Sequence, residues 1–453
     1  ENGEYVTKVE RFFLKFLYRL DRDMNRKSLK VLTACALAAI ALVGGAAQAQ
    51  SLTTASQLPG KVHLLPATLE TTQWGWFNNA QPPVMKIDSG DTVVMETMMH
   101  AHNQIVPGKT IEELKKLRTD FPGRGPHTLT GPIYVNGAEP GDVLKVHINR
   151  IVPRAYATNF NVPGMFGEFP KEFQDGQVKY LYLDMDRKIT EFLPGIEIPL
   201  RPFPGTMAVA RAEPGQYSSV PPGEYAGNMD IREFIEGTTL YVPVFVKGAL
   251  LWSGDSHAGQ GNGEINLSAL ETAYKELNIT VEVLKNMKLD MPRIETKSNW
   301  VTMGYDKDLN LAYDQAKAQT IKFIQEQRKA SAADAIREMP TVSDCRVSEV
   351  VNIKKGIYCM TPKDVNAKAM AEHPVAETSD SYVTVGRDAD ANKAMDAASM
   401  SMINLLQQKK GLTRLDAYGL ASVAMDCRIG DMSATQKSIH CLMPKSLWTV
   451  AKK

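Results

Sequence analysis

The chain has 453 residues, with 52 Lys and Arg against 51 Asp and Glu and a net charge of +1. That balance, with no basic stripe interleaved with aromatics, excludes nucleic acid as a partner, and no apolar run after residue 50 reaches the roughly 20 residues that cross a bilayer. The length exceeds one ordinary core, so two or three domains are expected.

Residues 1–23 mix apolar and basic side chains as a surface-lying amphipathic helix would, and they are set aside as an upstream extension. Met24 to Lys30 is then a basic stretch, Val31 to Val43 an apolar run, and Ala47-Gln48-Ala49 a small-residue cleavage pattern. Together these are the three parts of a secretory signal. Residues 1–49 therefore read as extension plus signal, with cleavage after Ala49. The mature protein is expected in the periplasm without stable membrane association.

Residues 50–294 carry short apolar or alternating runs punctuated by Gly and Pro. Strands are expected at Thr92–Thr97, Asp142–Ile148, Thr239–Val246 and Asn278–Val283. One stretch, Thr110 to Leu117, reads as a helix, with Thr110 at its N-cap and Glu112-Glu113 in the first turn. The fold class expected is α+β, predominantly β: a barrel- or sandwich-like β-rich catalytic domain over 50–294, followed by two small α/β repeat modules.

Within that domain the segment Gly254-Asp255-Ser256-His257-Ala258-Gly259-Gln260-Gly261-Asn262-Gly263-Glu264 follows an apolar run. Its glycines allow close backbone approach while Asp, His, Gln and Glu supply ligands and a titratable acid. Such a composition suits a site better than a core.

From Glu295 onward the chain repeats itself without a gap. Glu295-Thr296 falls on Glu377-Thr378, Asp344-Cys345-Arg346 on Asp426-Cys427-Arg428, and Cys359 on Cys441. The copies span 295–376 and 377–453. Each reads as helical stretches (Leu311 to Arg328; Lys393 to Gln408) leading to two antiparallel strands that bring its cysteines within bridging reach. Disulfides Cys345–Cys359 and Cys427–Cys441 are therefore expected, suited to an oxidising compartment. No CxxC spacing points to metal binding by these cysteines.

Four stretches together carry a resemblance to the acetamidase/formamidase family: Pro122-Gly123-Arg124-Gly125-Pro126-His127 through Val135, Gly137 through Asp142, Gly227-Asn228-Met229-Asp230-Ile231, and Gly254 through Glu264. With His100-Ala101-His102-Asn103-Gln104 the chain is most similar to the exported proteobacterial branch. The resemblance implies hydrolysis of short linear amides to carboxylate and ammonia, a small amide as substrate, and a homo-oligomer. The family ends with one Asp-x-Arg-Val…Pro-Lys module where this chain has two. Copy one keeps Val350-Val351-Asn352 and Gly356, and copy two keeps Ala417-Tyr418 and Ala421-Ser422, so either could occupy the family's position.

Amide hydrolysis needs an activated water, oxyanion stabilisation and a proton for the leaving amine. A divalent metal can provide the first two and a carboxylic acid the third. Asp255 and His257, spaced to share one side of an extended chain, are candidate metal ligands with His100 and His102 in the same spacing. Mixed imidazole and carboxylate ligation suits zinc, with calcium as the alternative. Glu264 is the candidate acid/base, with Asp255 and His257 catalytic beside it, and Asn228, Asp230, Gln260 and Asn103 are candidates to hold the substrate. Ser256 resembles an elbow nucleophile, but the glycines after it oppose the helix that elbow requires. Hydrolysis of a cyclic amide and a non-catalytic metal-containing binding or assembly role are the competing functions.

Overall fold

A computed structural model describes residues 60–369, 372–433 and 435–449. The extension and signal expected over 1–49 lie outside the described residues. Alternating apolar side chains build two large sheets, one of twelve strands and one of eleven. Val146, Ile148 and Val242 of the larger sheet meet Leu129, Met207 and Trp252 of the smaller in one shared core. Each such side chain contributes about 1.5–3 kcal/mol by leaving water. The domain is thus predominantly β and sandwich-like, as the period-two patterning implies.

The expected strands are Thr92–Met95, Val143–Pro153, Thr239–Pro243 and Tyr274–Leu284. The helix runs Ile111–Thr119, and its start is a reciprocal capping box between Thr110 and Glu113. Leu114 of this helix is buried in a small apolar cluster with Met99, Ile105, Phe160 and Val162. That cluster forms one wall of the cavity described below.

Each repeat folds as strand, two helices and two strands. Asp308 and Asp390 cap the first helices, Leu309–Arg328 and Ala391–Lys410, while Ser331 and Thr413 cap the second, Ala332–Val342 and Arg414–Ala424. Cys345 lies directly opposite Cys359 and Cys427 opposite Cys441, and both pairs are bridged.

The modules are not separate bodies. Their strands continue the twelve-stranded sheet in the order Asn299–Asp306, Lys355–Pro362, Asp344–Glu349, then Asp426–Met432, Lys437–Pro444, Ser381–Asp388. The second copy reverses the order of the first, and the copies meet where Arg346 faces Arg428. Around this pseudo-two-fold seam the contacts are reciprocal. Asn310 Nδ2 donates to Asp390 at 2.8 Å and Asn392 Nδ2 donates to Asp308 at 2.8 Å. Each copy thus covers an edge that the other would leave unpaired. The boundary at 295 falls within a strand of this continuous sheet, and that at 377 in the link between two of its strands.

Candidate active site

The strand Leu251–His257 runs through the middle of the smaller sheet, flanked by Thr128–Val135, Phe203–Val209 and Glu271–Thr272. The first half of the glycine-rich segment is therefore strand rather than loop. Register places His257 opposite Glu271 on one side and Phe203 on the other. The strand Ala226–Asn228 pairs with the far edge of Phe203–Val209 and delivers Asn228, with Asp230 just beyond it.

Seven ionisable side chains meet here. His100 Nε2 lies 2.9 Å from Asp255 Oδ1 and 3.3 Å from Glu271 Oε2. His257 Nε2 lies 3.3 Å from Asp255 Oδ1 and 3.2 Å from Glu271 Oε2. His127 Nε2 is 3.7 Å from Asp255 Oδ1, and its Nδ1 is held by Ser219. On the other flank, His257 Nδ1 lies 3.8 Å from Asp230 Oδ1, and Glu264 completes a third group with these two. All seven are buried.

The backbone bends to achieve this. Asp230, Asp255 and Glu264 all sit at positive φ, 48°, 51° and 48°. For non-glycine residues that conformation costs about 1–3 kcal/mol each, and such strain gathers at functional sites. Gly205 forms the floor. A Cβ there would come within 2.5 Å of Asp255 Oδ2, 2.6 Å of Asp230 Oδ1 and 2.6 Å of His257 Cε1.

Charge is distributed unevenly. Burial opposes ionisation of Asp255, but His127 and His257 and the His100 hydrogen bond hold its carboxyl well below the usual range. Burial likewise opposes protonation of His257 and His100, yet Glu271 and Asp255 raise both. Burial pushes His127 down to about 4. It raises Asp230 to about 8, helped by the charge of Asp255. Glu264 is raised well above its ordinary value by burial and by Asp230 beside it.

These groups fit a cation. Three sets, His100–His127–Asp255, Asp255–His257–Glu271 and Asp230–His257–Glu264, each bring their ligating atoms within 4.8 Å of one another. Separations near 3.3 Å match a tetrahedron of bonds about 2.0–2.1 Å long. Asp230 Oδ1, His257 Nδ1, His100 Nδ1, Glu264 Oε2 and Glu271 Oε2 are buried without a hydrogen-bond partner. Unpartnered carboxylate oxygens and imidazole nitrogens packed out of water are the donor atoms a cation would satisfy.

The expected residues divide. Asp255, His100, Glu264, Asn228 and Asp230 line one cavity, and His257 packs against Asp230, Asp255 and Glu271 behind that lining. His102 does not. Ala101, His102 and Asn103 have φ of 52°, 53° and 61°, so alternate residues no longer share a face. His102 instead contacts Thr72 Oγ1 at 3.2 Å and packs by Trp74. Asn103 is also outside the cavity lining; its Oδ1 accepts from the Met99 backbone N–H at 2.8 Å. Gln260 Nε2 bridges the backbone carbonyls of Asp230 and Ser348, each at 3.2 Å, and ties core to module. Ser256 Oγ pairs with Thr97 Oγ1 at 2.7 Å and does not line the cavity. His127 and Glu271, which the sequence did not single out, belong to the cluster. His127 stands inside the stretch Pro122 to Val135, just ahead of a strand, and a lone Glu in Leu270-Glu271-Thr272-Ala273 marks the other.

Both modules grip the glycine-rich segment. Gly261 N–H donates to Ser422 O and Asn262 N–H to Met425 O of copy two, at 2.9 and 2.7 Å. Gly263 N–H donates to Ser348 O of copy one at 3.0 Å. A Cβ on Gly261 would lie within 2.8 Å of three backbone atoms of copy two. Among the described residues only copy one reaches the cavity, through Val351, Asn352 and Ile353, with Asn352 Nδ2 donating to Asp230 Oδ2.

Known proteins resemble parts of this chain in sequence and in fold. Residues 68–214 and 212–448 match the acetamidase/formamidase family. The chain is 28% identical over 219 residues to the acetamidase of Mycolicibacterium smegmatis, covering 35% of this chain and 54% of that one. It is 26% identical over 262 residues to the formamidase of Methylophilus methylotrophus, covering 45% and 62%. These matches span about half to three-fifths of the curated relatives' length. The crystal structure of the acetamidase from Yersinia enterocolitica superposes with a TM-score of 0.63 and 26% identity, covering 69% of this chain and 96% of that one.

Proposed function

The chain belongs to the acetamidase/formamidase family, and from that membership we propose that it hydrolyses primary amides of small acyl groups. In the reaction the amide C–N bond breaks, water oxygen joins the acyl carbon, and nitrogen leaves as ammonia. The observation that carries the reading is the convergence of three imidazoles and four carboxylates in one buried cluster, three of whose members rest on Gly205.

His100, His127, His257, Asp255 and Glu271 would hold a divalent metal, and this donor set suits zinc. When bound, such a cation acts as a Lewis acid that makes water a stronger nucleophile and polarises a carbonyl. Glu264 then moves the protons. Its unpartnered Oε2 faces no competing donor, and its raised affinity for a proton suits taking one from water and returning it to the leaving nitrogen. Asp230 raises that affinity by its proximity, and Asn352 orients Asp230. Asn228 Oδ1 accepts from Thr206 Oγ1 at 2.6 Å, which leaves its amide N–H groups to hold the substrate carbonyl.

Ammonia release from formamide and acetamide by the purified protein tests the reading, and no release from any primary amide would overturn it. Glu264→Gln should abolish turnover and leave metal content intact. Equal loss of both would move Glu264 into the ligand set. We further propose export to the periplasm. The signal-like segment Met24–Ala49 and the two disulfides support it, and N-terminal sequencing of protein from the periplasmic fraction would test it.

A further inference from the structure

The cavity has two poles. One is the ionisable cluster, and the other is an apolar wall that includes Ile105, Leu114, Leu117, Phe160, Phe166 and Leu267. Its volume is about 90 Å³ counted as space open to water centres, several times the ~10–15 Å³ that one water needs on that measure. Formamide and acetamide offer at most one methyl group to such a wall.

Arg118 stands in the same lining. Its guanidinium lies 4.9 Å over the Phe166 ring, and its Nη1 is buried with no hydrogen-bond partner. Burial pushes it down to about 10, and no carboxylate offsets that cost. The last turn of helix Ile111–Thr119 favours a basic residue, but that preference leaves the buried Nη1 unexplained. A partly dehydrated guanidinium lacking an acceptor is costly, and its planar fork matches a carboxylate. Arg118 and His127 line the same cavity, so the two poles face one shared space.

We propose that the preferred substrate is the monoamide of a dicarboxylic acid: its amide lies at the cluster, its methylenes along the apolar wall, and its carboxylate on Arg118. This rests on the amidase reading and names its substrate class. Hydrolysis then yields a dicarboxylate and ammonia.

The test compares kcat/KM for succinamate, glutaramate and adipamate with the uncharged primary amides of matching length. The comparison is repeated in Arg118→Gln and Arg118→Lys. The wild type should favour the acid amide of best length by about 10- to 100-fold, the range a charge-assisted hydrogen bond supplies. The ratio should fall toward one in R118Q and recover in part in R118K. A wild type that cleaves the uncharged amides equally well, or a preference that survives R118Q, overturns the proposal and leaves the amidase reading standing. If no amide is cleaved, titration calorimetry with glutaramate decides. Binding that R118Q abolishes supports the carboxylate seat while the amidase reading falls, and absence of binding overturns both.

Discussion

Gly205→Ala is a small change that reaches three of the seven clustered side chains at once. Gly205 has no positive φ, so the backbone admits alanine without strain. The obstacle is space. The new Cβ would meet Asp255 Oδ2 at 2.5 Å, Asp230 Oδ1 at 2.6 Å and His257 Cε1 at 2.6 Å. Ordinary contact lies at 3.4–4 Å, so three groups must each retreat by about 1 Å in a close-packed interior. A shift of that size near reacting atoms costs about 100-fold in rate, and overpacking costs about 1–3 kcal/mol of stability. The assay is kcat/KM for ammonia release together with thermal melting. Gly259→Ala serves as control, since its Cβ would meet Leu270 Cδ1 at an ordinary 3.5 Å. G205A should lose at least about 100-fold in activity while remaining folded, and G259A should stay within about threefold of wild type. Activity of G205A near the wild-type level would refute the convergence on this floor.

Three further outcomes follow from the same geometry. His127→Ala should lower turnover by at least about 100-fold and reduce bound metal, whereas His102→Ala should change neither by more than about threefold; the reverse ranking in paired kinetic and elemental assays would return His102 to the site. Asp426 sits among Arg232, Arg346 and Arg428, and despite burial they hold its carboxyl well below the ordinary range. A depressed carboxylate stabilises above the unfolded pKa of about 3.9 and loses that contribution as pH falls through the folded value. Asp426→Asn should therefore cost about 3–5 kcal/mol at neutral pH, because Arg428 loses its carboxylate, Arg232 its shorter one, and Arg346 keeps Asp344 alone, and its deficit in denaturant melts should shrink in acid. Replacing Cys345 and Cys359 together by Ser should destabilise by about 3 kcal/mol with kcat unchanged, because the bridge lies away from the cavity lining.

Much of the candidate cluster was legible where glycines bracket chemistry. Asp255, His257 and Glu264 share one such segment, and Asn228 and Asp230 flank Met229 just after Gly227. Glu271 was not legible, because only strand register sets it opposite His257, and a lone Glu in an apolar run carries no local mark of that. His102 misled for a backbone reason: i, i+2 spacing implies a shared face only in extended chain, and the left-handed run Ala101–Asn103 removes the premise. The repeat was plain in sequence, but the seam was not, since an Arg346–Arg428 pairing leaves no periodic trace. The retained residues of each copy now have a physical account. Val351 and Asn352 of copy one line the cavity. In copy two, Tyr418 OH donates to Ile265 O at 2.7 Å and Ser422 Oγ to Ser268 O at 2.8 Å. Each copy kept the face that touches the core.

A cation held by the buried imidazoles and carboxylates beside Gly205 is central to the proposed chemistry. Elemental analysis of purified protein, run beside ammonia release before and after chelation, tests that most directly. The expected result is stoichiometric divalent metal, activity lost on its removal and restored on its return. Full activity in protein stripped of divalent metal would contradict it.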